Sequence, residues 1–260
     1  MSKPRHRIAF AAGVFVIACA WPRAGAQEQL SRTSPTAAPA PRLANGKPDL
    51  SGVWDRPYVP DMTRNGRNQQ GMPDLPFTPA GLTDWKSYDA ADGDYTGSCM
   101  PFGFSRSINS PYPMQIVQNA THVALLFEQN TWFHVVPADG STHPTELEPT
   151  WFGHSVGKWD GDVLIVDTVG FNGWTRLDTV GHPHSDRLHL VQTFRRTDAD
   201  RIEYTMTIDD PATYTKPWSN ERVFTRSKGP LIEYSCEENN KDLREGLIKL
   251  WVPPPARKPK

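Results

Sequence analysis

The chain is expected to be mostly β: an antiparallel meander that curls into a barrel or half-barrel, with a short N-terminal and a C-terminal helix. Three observations carry this expectation. From Met114 onward, strand-length runs rich in β-branched and aromatic residues follow one another. Turn formers punctuate them, among them Asp139-Gly140, Asp160-Gly161 and Gly229-Pro230. No fixed-period repeat interrupts the series, and residues 43–252 fit one domain.

The elements follow in chain order. Lys3, Arg5 and Arg7 precede the apolar run Ile8 to Trp21, and Ala24-Gly25-Ala26 is a small-residue cleavage signature. Residues 1–26 therefore read as an export signal, too short for a membrane span. Val16-Ile17-Ala18-Cys19 also resembles a lipobox, which makes a lipid anchor at Cys19 the alternative. Residues 27–42, rich in Ala, Ser, Thr and Pro, read as a disordered linker. Pro48 to Trp54 begins the folded part with a short strand. Residues 56–76 read as loop. Thr78-Pro79 is an N-cap followed by proline at the first helical position, predicting a helix to about Tyr88. Residues 89–113, with glycines and prolines throughout, read as loop again.

Met114 to Asn119 and Val123 to Phe127 predict a hairpin, and Thr131 to Pro137 a further strand. Residues 154–168 predict the next hairpin, and Leu188 to Arg196 with Arg201 to Asp209 another. Arg222 to Arg226 and Leu231 to Cys236 predict the last. A helix over Lys241 to Leu250, capped by Asn239 or Asn240, precedes a Pro/Lys tail at 253–260.

Composition narrows function. Lys and Arg number 28 against 29 Asp and Glu, for a net charge of −1. The signs are interspersed, which argues against nucleic acid as a partner. Nine tryptophans suit an aromatic-lined pocket. With the leader removed, Cys99 and Cys236 remain, and two cysteines in an oxidising compartment most often pair. Two separate buried thiols are the alternative. Export places the protein in the periplasm or outside the cell.

Local rules also bring one chemical pair together. A two-residue turn at Asp160-Gly161 sets Trp159 opposite Asp162, Val156 opposite Ile165, and His154 opposite Asp167. A carboxylate beside an imidazole orients a base and stabilises its protonated form. Val156, Val163 and Ile165 share that face and are expected to point inward. The plainer alternative is a solvated surface ion pair.

The connection from Gly170 to Asp186 is long enough to be a lid or binding loop over that pair. It holds Asp178, His182 and His184 as candidate acids or bases. Phe171, Asn172, Trp174 and Arg176, with Trp151 before the hairpin, are candidate substrate contacts. His182 and His184 form a His-x-His pair, which with His154 makes a possible divalent-metal site, although Pro183 breaks any strand there. No cofactor is otherwise expected. After Asp209-Asp210-Pro211, a good turn initiator, Tyr214 and Trp218 are candidates for the same mouth. Glu233 is expected mid-strand. His134 and His189 are read as structural strand histidines.

Four motifs carry a resemblance. They are Pro-Asp-Leu-Ser-Gly-Val-Trp at 48–54, the block from Pro149 through Asn172, Gly-His-Pro-His-Ser at 181–185, and Asp-Asp-Pro-Ala-Thr-Tyr-Thr-Lys-Pro-Trp at 209–218. In these the chain resembles a family of exported, mostly uncharacterised bacterial proteins, and more distantly the meander resembles lipocalin-like barrels, without a diagnostic lipocalin motif. The resemblance implies kinship and export, and no particular reaction.

The leading functional expectation is an exported lyase, isomerase or dehydratase using His–Asp acid–base chemistry on an aromatic or sugar-like small molecule. The alternatives are a non-catalytic ligand-binding barrel, a metal-dependent hydrolase or lyase built on the His-x-His pair, and an envelope-associated structural protein. Ser155 follows His154 directly and so faces the other side of the sheet, and no nucleophile elbow is present, which disfavours a covalent serine mechanism.

Overall fold

The computed structural model describes residues 37–254. The expected signal at 1–26, Cys19, the linker up to residue 36 and the tail from 255 lie outside the described residues. The strands are β1 (Gly52–Asp55), β2 (Gln69–Gln70), β3 (Met114–Gln118), β4 (His122–Phe127), β5 (Phe133–Pro137), β6 (His154–Asp160), β7 (Val163–Val169), β8 (His189–Asp198), β9 (Arg201–Asp209) and β10 (Trp218–Arg226). The helices are α1 (Pro79–Ser87), α2 (Phe104–Asn109) and α3 (Lys241–Arg244), with two single 3₁₀ turns. The strands form one antiparallel sheet in the order β5-β4-β3-β1-β10-β9-β8-β7-β6, with β2 beside β10.

The sheet forms a nearly closed barrel. Its edge strands β5 and β6 meet through side chains: His134 Nε2 lies 2.6 Å from Ser155 Oγ, which lies 2.7 Å from Thr168 Oγ1. Gly140 N–H donates to Gly157 O beside this seam at 3.0 Å.

Alternation fills the interior. Leu190 and Phe194 of β8, Ile202, Tyr204, Met206 and Ile208 of β9, and Phe224 of β10 are all buried. Each such large side chain stabilises the fold by about 1.5–3 kcal/mol on burial. Trp54 of β1 is fully buried and donates Nε1–H to Leu50 O at 2.9 Å. The guanidinium carbons of Arg196 and Arg226 stand 5.0 and 5.2 Å from its ring. The Pro48–Trp54 motif is thus an anchor that seats β1 between β3 and β10.

Several expectations are corrected. The β6–β7 hairpin pairs Asp160 with Val163, so Gly161 and Asp162 are the turn residues. Gly161 has φ +56° and Asp162 has no positive φ, a primed turn with glycine at its first central position. This moves the register by two residues: His154 faces Val169, and Asp167 faces Val156. The inward face is the opposite one, carrying Ser155, Leu164, Val166 and Thr168. Residues 231–236 form no strand, because β1 occupies the edge of β10 that they would pair with. Glu233 therefore sits on irregular chain. The C-terminal helix is one short turn, with Asn240 as its cap. Residues 89–113 hold α2, all six residues of which are buried. Of the expected linker, residues 37–42 are held in place. Ala38 O accepts from Ala199 N–H at 2.8 Å, and Arg42 grips Asp162 with bonds of 2.8 and 2.6 Å.

Cys99 and Cys236 are disulfide-bonded across 137 residues. No helix among the described residues is long and apolar enough to cross a membrane.

Candidate functional site

His154 and Asp167 share the outer face of the hairpin as diagonal neighbours. A third residue joins them. His143, on the connection between β5 and β6, has Nδ1 2.8 Å from His154 Nδ1 and donates Nε2–H to Asp167 Oδ1 at 3.0 Å. The other oxygen, Asp167 Oδ2, accepts Nε2–H of His189 at 2.9 Å. The result is a continuous array, His154–His143–Asp167–His189. Residues 140–143 overhang the outer face and enclose a groove of about 450 Å³ with Val156, Lys158, Ile165, Asp167 and Val191. The Asp167 side chain is 38 % exposed and that of His143 21 %, so the array is sheltered yet open to solvent.

The hydrogen bonds assign the tautomers. His143 donates at Nε2, so its neutral ring accepts at Nδ1, and His154 must donate Nδ1–H to it. The lone pair of His154 then sits on Nε2. Burial, and secondarily His143, hold the His154 pKa below the ordinary histidine value. For Asp167, burial pushes upward, but the bonds from His189 and His143 outweigh it and keep the pKa below the usual carboxylate range. Asp167 is thus an anion at neutral pH that can stabilise a proton arriving on the histidines.

The loop from Gly170 to Asp186 is packed down rather than poised above this array. Asp178 is fully buried and accepts three hydrogen bonds, from Met62 N–H at 2.8 Å, His182 N–H at 3.1 Å and His182 Nδ1–H at 2.6 Å. The His182 ring stacks on Trp85 at 5.0 Å. His184 donates Nδ1–H to Ser185 O at 3.0 Å and accepts at Nε2 from Thr175 Oγ1 at 2.6 Å. Burial lowers its pKa and keeps the ring neutral. Tyr214 donates its hydroxyl to Pro183 O at 2.9 Å, and burial raises its pKa. Asp210 clamps the loop by accepting from Ser185 N–H and Oγ–H at 2.6 and 2.8 Å. Gly181, at φ +86°, lies against Tyr88, where an added Cβ would stand 1.9 Å from the ring.

Among the described residues, no hydrogen bond, ion pair or ring contact joins Asp178, His182, His184 or Tyr214 to His154 or Asp167. The His-x-His pair and His154 do not converge. The group of possible ligand atoms within 4.8 Å of one another is instead Asp61, Asp178 and His182. Asp61 there accepts from Thr63 N–H, Thr63 Oγ–H and Arg64 Nε–H, so its carboxylate is already engaged.

Trp174, Arg176 and His184 line a second cavity of about 270 Å³, with Tyr88, Tyr95 and Trp251. Trp151 packs against Trp174 at 5.5 Å. Arg176 is tied to Asp84 at 2.9 Å. Asn172 Oδ1 accepts Trp174 N–H, bracing the turn. Phe171 and Trp218 are core residues, 2 % and 3 % exposed, because the strand ends carry them inward.

His143 escapes a reading of local pattern. It sits in the aperiodic connection 138–153, and only the length of that connection hints at a role. His189 is taken from a purely structural reading into the array by its β8 register, Asp167 pairing with Val191. A scan against family models and a search among characterised proteins find no match to this chain.

Proposed function

We propose that this is an exported enzyme that moves protons on a small organic molecule, with His154 as the base. The observation that carries the reading is the His154–His143–Asp167–His189 array beside a groove of about 450 Å³. A proton taken at His154 Nε2 lets Nδ1–H pass to His143, and the positive charge is stabilised against Asp167. His189, held through Nε2–H on the other carboxylate oxygen, is the candidate acid in its protonated form, giving the proton from Nδ1–H and keeping its bond to Asp167. Abstraction and return of a proton is the chemistry of a lyase, isomerase or dehydratase, and needs no cofactor. The Val156, Ile165 and Val191 walls favour an aromatic substrate over a sugar-like one. The disulfide, the N-terminal signal and the four motifs support export to the periplasm or medium and kinship with the exported bacterial family.

A second reading rests on the other cavity. Its Tyr88, Tyr95, Trp174 and Trp251 walls suit non-catalytic capture of an aromatic or sugar ring. The two are separated by screening the mature protein for binding and turnover of aromatic and carbohydrate compounds. Asp167→Asn and His154→Ala are expected to abolish turnover by about 10²-fold or more with ligand binding retained. Binding lost only in Trp174→Ala, with no turnover of any bound ligand, selects the binding module instead.

A further inference from the structure

The outer-face groove carries a charge that the histidine array does not use. Lys158 lines the groove of about 450 Å³ together with His143, Val156, Ile165, Asp167 and Val191. Among the described residues no hydrogen bond or ion pair engages its ammonium. The carboxylate that lines the groove, Asp167, has both oxygens taken, one by His143 Nε2–H at 3.0 Å and the other by His189 Nε2–H at 2.9 Å. Asp160, two residues beyond Lys158 on the same face, sits at the hairpin turn and does not line the groove.

Strand register sets the layout. Val156, Asp167 and Val191 stand opposite one another across β6, β7 and β8, and Lys158 stands opposite Ile165 in the next row. His154 and His189 lie one row to the other side, two residues back along β6 and β8. Rows on one face of a strand are about 7 Å apart. The array therefore occupies one end of this face and the ammonium the other, with Val156, Ile165 and Val191 as an apolar floor between them. A lysine stem covers apolar surface while its head stays outward, which leaves the Lys158 ammonium free to meet a ligand at the rim.

The two ends orient a ligand in one sense. Asp167 is an anion and repels a second carboxylate from the array, whereas Lys158 attracts one. A single ammonium balances a single negative charge, which suits a carboxylate better than a doubly charged phosphoryl group.

We propose that the ligand of this groove is a monocarboxylate with an apolar, ring-sized body, and that Lys158 selects it by pairing with the carboxylate. The body crosses Val156 and Ile165 toward His143 and Asp167. This inference rests on the groove being the functional site proposed above and adds the charge of its substrate.

The test measures binding, with turnover followed separately. Disulfide-intact protein is titrated calorimetrically at neutral pH and low ionic strength with benzoate, 3-phenylpropionate and cyclohexanecarboxylate, and with the primary amide of each. At least one acid is expected to bind about fivefold more tightly than its amide, the weight of one partly solvated ion pair. Lys158→Met removes an exposed side chain that holds no other residue. It is expected to keep the native urea midpoint and to bring acid and amide to equal affinity. Equal affinities in the native protein, no saturable binding of any acid, or a preference that survives in Lys158→Met overturns the assignment. The proton-transfer reading fails in a different way. An acid preference abolished by Lys158→Met, with no turnover of any bound compound, leaves the carboxylate site standing and removes the base role from His154. Turnover of neutral compounds with no acid preference leaves the array standing and overturns the role of Lys158.

Discussion

The seam that closes the barrel makes the protein sensitive to acid in a calculable way. His134 is enclosed by the Phe104 ring at 4.5 Å and the Phe152 ring at 5.9 Å, with Ser155 Oγ on Nε2. Burial, and secondarily His154, lower its pKa to about 4 from the ordinary 6.5. The unfolded chain therefore takes up a proton at this residue below pH 6.5, whereas the folded protein does so only near pH 4. A depressed native pKa means that stability is complete above 6.5 and is lost as pH falls from 6.5 to about 4. The span corresponds to roughly 3 kcal/mol in total, with a slope of about 1.4 kcal/mol per pH unit inside the window. His184 is also depressed by burial and contributes a slope of its own, so the decisive quantity is a difference. His134→Gln retains a hydrogen-bonding group for Ser155 and does not titrate. Urea unfolding followed by tryptophan fluorescence, in half-unit steps from pH 7.5 to 4, is expected to give a shallower pH dependence for the variant by that slope. Parallel curves for the two proteins would refute the argument.

Two further outcomes are expected. Cys99→Ser, or reduction of the native protein, opens a loop of 137 residues and is expected to cost about 4–5 kcal/mol in the chain-entropy model, read as a lower urea midpoint; an unchanged midpoint counts against it. Asp178→Ala strips Met62 N–H, His182 N–H and His182 Nδ1–H of their shared acceptor and is expected to cost about 3 kcal/mol or more, with new proteolytic nicks within residues 170–186. A loop as protease-resistant as the native one would show that other contacts hold it.

The chain's own pattern was enough for much of the architecture. The β3–β4 and β8–β9 hairpins, the Thr78 cap of α1 and the Cys99–Cys236 bond all follow from alternation, turn chemistry, capping and compartment, which act over a few residues or through composition. Alternation also put His154 and Asp167 on one face, since period two survives a register shift of two. Which face points inward was not legible, because Val156 and Ile165 are as apolar as Leu164 and Val166. The outcome depends on barrel closure and on Ser155 and Thr168 meeting His134 at the seam. Nor was the histidine array, since His143 reaches Asp167 across 24 residues and His189 across 22. The burial of α2 likewise emerges only when distant segments meet. Short-range rules act through bonds and nearest neighbours, whereas burial and site assembly are set by whatever the nearly closed barrel brings into contact.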